Sequence, residues 1–347
     1  MSRVAVVLFN LGGPDRPESV KPFLFNLFND PHIIGAPRPI RFLLAKLIST
    51  RRAPVAAEVY HQLGGGSPLL ANTEAQAAAL DQALAGGPDT VKSFVAMRYW
   101  HPLSDAAARA VKDFAPDEIV LLPLYPQYSH TTTGSSLRAW FAAAAKVGLD
   151  APTRTICCYP MERGLVSAIA AAIRPAYDLA SAGGKPRVLF SAHGLPKKVV
   201  AAGDPYQAQV EMTVGAVVAK LAIEGLDWQV CYQSRVGPLE WIGPYTVDEI
   251  ARAGAERRPL VVVPVAFVSE HSETLVELDI EYRQLARDKG VPRYERVMTA
   301  GTHRDFIAGL AGLVATARGR PPGLCPPEGQ RLCGPQHRRC PAAVAPA

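Results

Sequence analysis

Residues 118–137, EIVLLPLYPQYSHTTTGSSL, and residues 260–278, LVVVPVAFVSEHSETLVEL, follow one pattern. Each is a short apolar run that stops at polar residues and turns. A near-continuous apolar strand is what a parallel sheet covered on both faces requires. Two further pairs extend the echo. VAVVLFNLGGP (4–14) is matched by RVLFSAHGLP (187–196), and FVAMRYWHPL (94–103) by WQVCYQSRVGPL (228–239). Alanine-rich helical stretches lie between the strands. NTEAQAAALDQALAG is one, with Asn72 or Thr73 as its cap, and SDAAARAVKDF is another, capped by Ser104. Strands alternating with helices predict an α/β fold of two doubly wound Rossmann-type lobes with parallel sheets.

The expected division is an N-terminal lobe over 1–155, a C-terminal lobe over 156–310 and a Cys-containing extension over 311–347. The first lobe includes an apolar, basic segment over about 21–52, which is either an amphipathic lip or a helical excursion packed on its own domain. Residues 319–347, rich in Pro, Arg and Cys, are expected to lack regular structure unless something ties them down.

Composition removes several classes. The 347 residues are 48% hydrophobic with a net charge of +6, and the basic residues are scattered. No basic tract carries interleaved aromatics, so nucleic acid is not an expected partner. No run reaches about 18 uninterrupted apolar residues, and no cleavable leader precedes the first strand. A cytoplasmic protein is expected. Six cysteines there are better metal ligands than disulfide partners.

In doubly wound sheets, ligands sit beyond the carboxyl ends of the strands. The polar residues at those ends include Asn10, Arg98, Tyr99, Tyr125, Gln127, His193, Gln233, Ser234, Glu270, His271 and Glu273. The glycine turns at 12–13 and 64–66 lack a phosphate-binding pattern and read as tight connections. His193 suits proton transfer near neutrality, although a lone strand-end histidine is as often structural. Glu273, Glu277 and Glu281 are four apart and would line one face of a helix. Acids favour a helix start, which accounts for Glu273. A repelling column that continues to Glu277 and Glu281 fits a path for protons or a cation better. If the column were only a solvated helix face, Glu277 and Glu281 would lie on the outer surface. Cys325, Cys333 and Cys340 with one body cysteine would make a four-thiolate site for zinc or an iron–sulfur cluster.

These stretches place the chain beside a known family. NLGGP, RRAPVAAEVYHQLGGGSP, MRYWHPL, LPLYPQYSHTTTGSS, FSAHGLP, YQSRVGPLEWIGPYT and FVSEHSETLVELDIEYR occur in order between about residues 4 and 310, and together they resemble the ferrochelatase family. The resemblance implies a chelatase-like fold with a porphyrin cleft and the insertion of Fe2+, as substrate, into protoporphyrin IX with release of two protons. It implies His193 and Glu273 as catalytic and iron-contacting residues with His271 beside them, and Glu277 and Glu281 as a proton or metal path. Leu11, Tyr60, Trp241 and Tyr125 match porphyrin-wall positions, Arg52 and Ser67 match propionate positions, and Arg98 and Tyr99 match polar floor residues. It also implies a [2Fe-2S] cluster on Cys158 or its neighbour Cys157 together with Cys325, Cys333 and Cys340, although the tail spacing departs from the animal pattern. Segment 21–52 matches the family's active-site lip, so peripheral membrane contact is expected, on the inner face of the plasma membrane. Monomer and homodimer both remain open. Competing readings are a coproporphyrin III or cobalt chelatase of the same fold, a non-catalytic porphyrin or haem carrier, and an iron–sulfur regulatory protein.

Overall fold

The computed structural model describes residues 1–343 and divides into two compact units. Unit 1 comprises Met1–Cys158 with Leu310–Leu332, and unit 2 comprises Tyr159–Gly309 with the segment from Cys333 onward. The extension expected as a separate part is therefore shared between the units.

Unit 1 runs β1 (Arg3–Asn10), α1 (Val20–Phe28), α2 (Arg38–His61), α3 (Leu69–Leu84), β2 (Thr90–Met97), α4 (Ser104–Phe114), β3 (Glu118–Pro123), α5 (Ser135–Val147) and β4 (Thr153–Ile156). Unit 2 runs α6 (Arg163–Ser181), β5 (Arg187–His193), α7 (Lys197–Ala201), α8 (Tyr206–Leu221), β6 (Asp227–Gln233), α9 (Thr246–Ala255), β7 (Leu260–Pro264), α10 (Tyr282–Asp288) and β8 (Tyr294–Arg296). Then α11 (Arg304–Arg318) leads back to unit 1, where β9 (Gly323–Cys325) adds a last strand. The sheets are β2-β1-β3-β4-β9 and β6-β5-β7-β8, and every pairing is parallel. The central strands β1, β3, β5 and β7 are buried almost throughout, as sheets covered on both faces demand.

The two orders superpose term by term: β1 on β5, β2 on β6, β3 on β7 and β4 on β8. A π-helical segment follows the third strand of each set, His130–Gly134 after β3 and Glu273–Glu281 after β7. The structure corrects the register of one echo. Met97 N donates to Pro102 O at 2.7 Å, and Tyr232 N donates to Pro244 O at 2.9 Å. The counterpart of Pro102 is thus Pro244, not Pro238. The loop of unit 2 is longer at this point, and the extra length carries Trp241.

Two local expectations also shift. Helix α3 starts at Leu69, so neither Asn72 nor Thr73 caps it. Thr73 is fully buried one turn in, where its Oγ1 donates to Leu69 O and accepts from Asn10 Nδ2. Helix α4 includes Ser104, and its N-cap is Leu103. The tail is tied down. β9 pairs with β4, Arg320 Nη1 donates to Pro326 O at 2.5 Å, and Arg339 N donates to Gly203 O at 3.0 Å. The last four residues of the segment expected to be irregular lie outside the described residues.

The glycine turns are close approaches. A Cβ on Gly13 would sit 2.5 Å from the Ser67 side chain, and one on Gly66 would sit 2.6 Å from Asp15 O. The two loops pack on each other, with Ser67 N donating to Pro14 O at 2.7 Å. That contact, not a phosphate, is what the missing side chains serve.

Candidate active site

The carboxyl end of the unit 2 sheet gathers the chemistry. His193 is the last residue of β5, and its register partner on β6 is Gln233. The chain leaves β7, crosses residues 265–272 and enters the π-helix at Glu273. His193 Nδ1 then lies 2.8 Å from Glu273 Oε2. The Trp241 ring stands edge-on to the imidazole with 6.3 Å between centroids, and its Nε1 donates to Val236 O.

Each group perturbs the other. Burial disfavours the charged form of both, but the contact outweighs it. The charge and hydrogen bond of Glu273, with help from Glu277, raise His193 above the usual histidine value. His193, His271 and the Ser234 hydroxyl hold Glu273 down at about 2. The side chains are 36% and 28% exposed, so solvent screens part of this attraction. If a neutral His193 donates its Nδ1 proton to Glu273, Nε2 is left as the proton acceptor. A carboxylate that orients an imidazole and stabilises its protonated form is the logic of the hydrolase triads.

His271 is configured differently. Its Nδ1 accepts from Glu273 N at 3.0 Å, and its ring stands edge-on to Phe267 at 4.5 Å. Burial pushes its pKa down. A neutral His271 whose Nδ1 accepts must carry its proton on Nε2, so it offers a donor where His193 offers an acceptor.

Glu277 is neither solvated nor isolated. Its carboxylate accepts from Gln233 Nε2 at 3.0 Å, Ser234 N at 3.0 Å, Ser234 Oγ at 2.5 Å and Tyr282 OH at 2.8 Å. Burial, and then the charge of Glu273, raise its pKa. The Ser234 hydroxyl also lies 3.3 Å from Glu273 Oε2, so it bridges the two acids. Glu281 is exposed. The outer-surface expectation therefore holds for Glu281 and fails for Glu277. The sequence reading noted Gln233 and Ser234 only as strand-end residues and missed Tyr282. Tyr282 lies five residues beyond Glu277, the hydrogen-bond spacing of a π-helix, whereas the acid column follows the α-helical spacing of four.

Unit 1 carries the other candidates. Tyr60 is buried with Val20, Phe23, Leu24 and Tyr99, and Leu11 packs on the same cluster. Ser67 sits in the loop contact at Gly13, and its Oγ accepts from Leu69 N at 3.3 Å. Arg52 is exposed, with its guanidinium 5.8 Å from the centre of the Phe28 ring. Tyr125 packs against the cluster around Trp140, and burial raises its hydroxyl pKa. Arg98 and Tyr99 converge on Asp30, which the sequence reading passed over inside an apolar segment. Asp30 accepts from Arg98 Nη2 and Tyr99 OH, each at 2.8 Å, and from Ser135 Oγ. Burial opposes its charge, yet Arg98 and these donors hold its pKa below the usual carboxylate value. Tyr99 is 1% exposed, so its hydroxyl anchors the turn between α1 and α2 to the end of β2.

All six cysteines are buried, and none forms a disulfide among the described residues. Cys157 and Cys158 stand with sulfurs 3.5 Å apart. Pairing of β4 with β9 sets Cys325 opposite Ile156, next to them. In unit 2, Gln209 Nε2 donates to Cys333 Sγ at 3.0 Å. Among the described residues, no three His, Cys, Asp or Glu side chains form a group arranged to hold a metal ion.

Comparison with known proteins fixes the family. The model of the ferrochelatase family matches residues 3–318. A ferrochelatase of Caulobacter vibrioides is 55% identical over 341 residues, covering 98% of this chain and 97% of that protein. The chain belongs to the ferrochelatase family. A ferrochelatase of Phenylobacterium zucineum is also 55% identical, over 97% of both chains. Insertion of iron into a porphyrin for haem synthesis, the ferrochelatase reaction, is this chain's activity. Among solved structures, SirB from Bacillus subtilis with Fe3+ matches with a TM-score of 0.53 at 11% identity, over 93% of this chain and 99% of that one. At that identity the likeness is one of fold.

The pair makes a signed prediction. A raised His193 stabilises the fold below its unfolded value near 6.5 and loses that contribution as pH rises through its folded value. A depressed Glu273 stabilises above its unfolded value near 4.5 and loses it as pH falls toward about 2. Both contributions coexist between about pH 4.5 and 6.5. In Glu273→Gln, burial acts on His193 with less opposition. NMR titration of labelled histidines should therefore show its pKa falling below that of the parent protein.

Proposed function

We propose that His193, oriented by Glu273, is the base that removes pyrrole protons as Fe2+ enters protoporphyrin IX. The observation that carries this reading is the 2.8 Å contact between His193 Nδ1 and Glu273 Oε2. The metal cannot enter until the ring nitrogens lose their protons, and the ring must bend to expose them. Contacts elsewhere on the macrocycle supply that strain. Leu11, Tyr60, Tyr125 and Trp241 are the candidate wall residues. Arg52 and Ser67 are candidates for the propionates, where a guanidinium fork suits a carboxylate.

A neutral His193 takes a proton on Nε2, and the imidazolium so formed is stabilised by Glu273. The imidazolium gives its Nδ1 proton to Glu273 Oε2 and is left neutral. Glu273 hands a proton to the Ser234 hydroxyl as that hydroxyl gives its own to Glu277, whose raised pKa makes it a better acceptor than Glu273. Glu281, exposed at the far end of the π-helix, is the outlet. His271 donates from Nε2 and contributes polarity rather than basicity. His193→Ala should cut Zn2+ or Fe2+ insertion to a small residual rate while porphyrin binding, read by fluorescence, stays close to that of the parent. Glu273→Gln should lower turnover strongly and Glu281→Gln only mildly. Substantial turnover in His193→Ala would refute the assignment of the base.

The case for a [2Fe-2S] cluster rests on ligand chemistry: thiolates suit iron–sulfur clusters, and the three tail cysteines are buried in folded structure without disulfides among the described residues. The proposed ligands are Cys158, Cys325, Cys333 and Cys340, with Cys157 the alternative to Cys158. When bound, such a cluster supplies redox sensitivity. Protein purified anaerobically should contain acid-labile sulfide and absorb in the visible. Cys333→Ser should remove both signals, and their absence from the parent protein would dismiss the cluster.

The lip is the proposed membrane contact. Helix α1 buries Val20, Phe23 and Leu24, while Ile40, Phe42, Leu43, Leu44 and Leu47 of α2 are exposed among Arg38, Arg41, Lys46 and Arg51. An apolar face rimmed by cations suits an anionic bilayer surface. No helix among the described residues is long and apolar enough to cross a membrane. Flotation with liposomes rich in anionic lipid should carry the protein upward, and Leu43→Glu/Leu47→Glu should weaken that binding. Failure to float with any lipid would count against the lip.

A further inference from the structure

The segment bearing His271, Glu273 and Glu277 is fastened at both ends by one guanidinium. Arg296, the last residue of β8, is 3% exposed. Its Nη1 donates to Glu270 Oε1 at 2.7 Å, and its Nε and Nη2 donate to Asp279 Oδ2 at 2.9 and 2.5 Å. Glu270 precedes His271, and Asp279 lies in the π-helix beyond Glu277. The anchors are reinforced. Thr299 N donates to Glu270 Oε1 at 2.8 Å, Arg283 pairs with Asp279 Oδ1 at 3.2 Å, and Tyr294 OH donates to Leu278 O at 2.7 Å. A short edge strand thus holds the outer side of the segment, while Gln233 and Ser234 hold Glu277 on its inner side.

We propose that Arg296 is a positioning residue for metal insertion, and that its two-ended clamp fixes the π-helical register in which Glu273 meets His193. A π-helix is a poor solution for a free chain, because the α-helix is the common form and π segments persist mainly where surroundings impose them. Between Glu273 and Asp279, a one-residue change of register would rotate Glu273 away from His193. One planar fork spanning two carboxylates resists that rotation. A lysine cannot, because its ammonium is a point charge on a flexible stem. Arg296 contacts no group that the reaction transforms, so it acts through Glu273 and Glu277.

The inference rests on the reading of His193 and Glu273 as the proton-handling pair, and one set of assays separates the two. The full-length Arg296→Lys protein is measured for Zn2+ insertion into protoporphyrin, with kcat and the KM for porphyrin determined per folded molecule. Amide hydrogen exchange is followed over residues 270–282. The expected result is a kcat lowered about 10- to 100-fold, as when groups that orient ligands are lost elsewhere, with the porphyrin KM within about twofold. Exchange should be faster in 270–282 and unchanged in β5. Should Arg296→Lys not fold, Arg296→Gln/Glu270→Gln/Asp279→Asn leaves neither partner as an unpaired charge, and the same loss of kcat is expected. A folded variant whose kcat and exchange match the parent would overturn the clamp. So would a loss fully explained by a smaller folded fraction. Turnover retained in His193→Ala, run alongside, would instead defeat the reading of the pair.

Discussion

The contact between His193 and Glu273 joins two parts of unit 2 that are eighty residues apart in the chain. It exists because β5 and β7 are adjacent parallel strands and both deliver their chains to the same edge of the sheet. Neither residue would have its character alone. Burial without the partner would leave His193 harder to protonate and Glu273 harder to ionise. Together they form an imidazole–carboxylate pair, and the remaining polar groups of the edge are arranged around them. Ser234 links the pair to Glu277, Tyr282 and Gln233 hold Glu277, and Trp241 stands beside the imidazole.

The same architecture is used twice with different results. Both sheets follow one strand order, both third strands lead to a π-helical segment, and in both a proline in the loop after the second strand accepts from an amide near that strand's end. At the position of His193, unit 1 has Asn10, which donates to Thr73. The end of β2 holds Arg98 and Tyr99, committed to Asp30, whereas the end of β6 holds Gln233 and Ser234, committed to Glu277. One carboxyl edge fastens the turn between α1 and α2 through Asp30, and the other holds the buried acid Glu277 beside the His193–Glu273 pair. The difference lies in which side chains occupy equivalent positions, since the backbone plan is shared.

Much of this was legible in the sequence because parallel strands are recognisable by their unbroken apolar runs, and because the edge residues follow them directly. His193, Glu273 and Trp241, all noted from their motifs, lie together at the carboxyl edge of the unit 2 sheet. What escaped reading has physical causes. A π-helix has no apolar signature distinct from that of an α-helix, so the partnership of Glu277 with Tyr282, five residues on, was hidden. Asp30 and Arg296 are charged residues whose partners are remote in sequence, and no local pattern announces a long-range ion pair. The glycines at 13 and 66 were seen, but the reason for them lies in a loop fifty residues away. The register of the second echo slipped because the inserted loop before Pro244 contains a decoy proline at position 238.

The proposed chemistry requires His193 and Glu273 to act as one unit. The most direct measurement is a double-mutant cycle on metal insertion at saturating porphyrin, using His193→Ala, Glu273→Gln and the double variant. If Glu273 acts through His193, the second substitution should lower turnover little or not at all once His193 is gone. Losses that multiply in the double variant would show two independent contributions and would contradict the pairing on which the proposed mechanism depends.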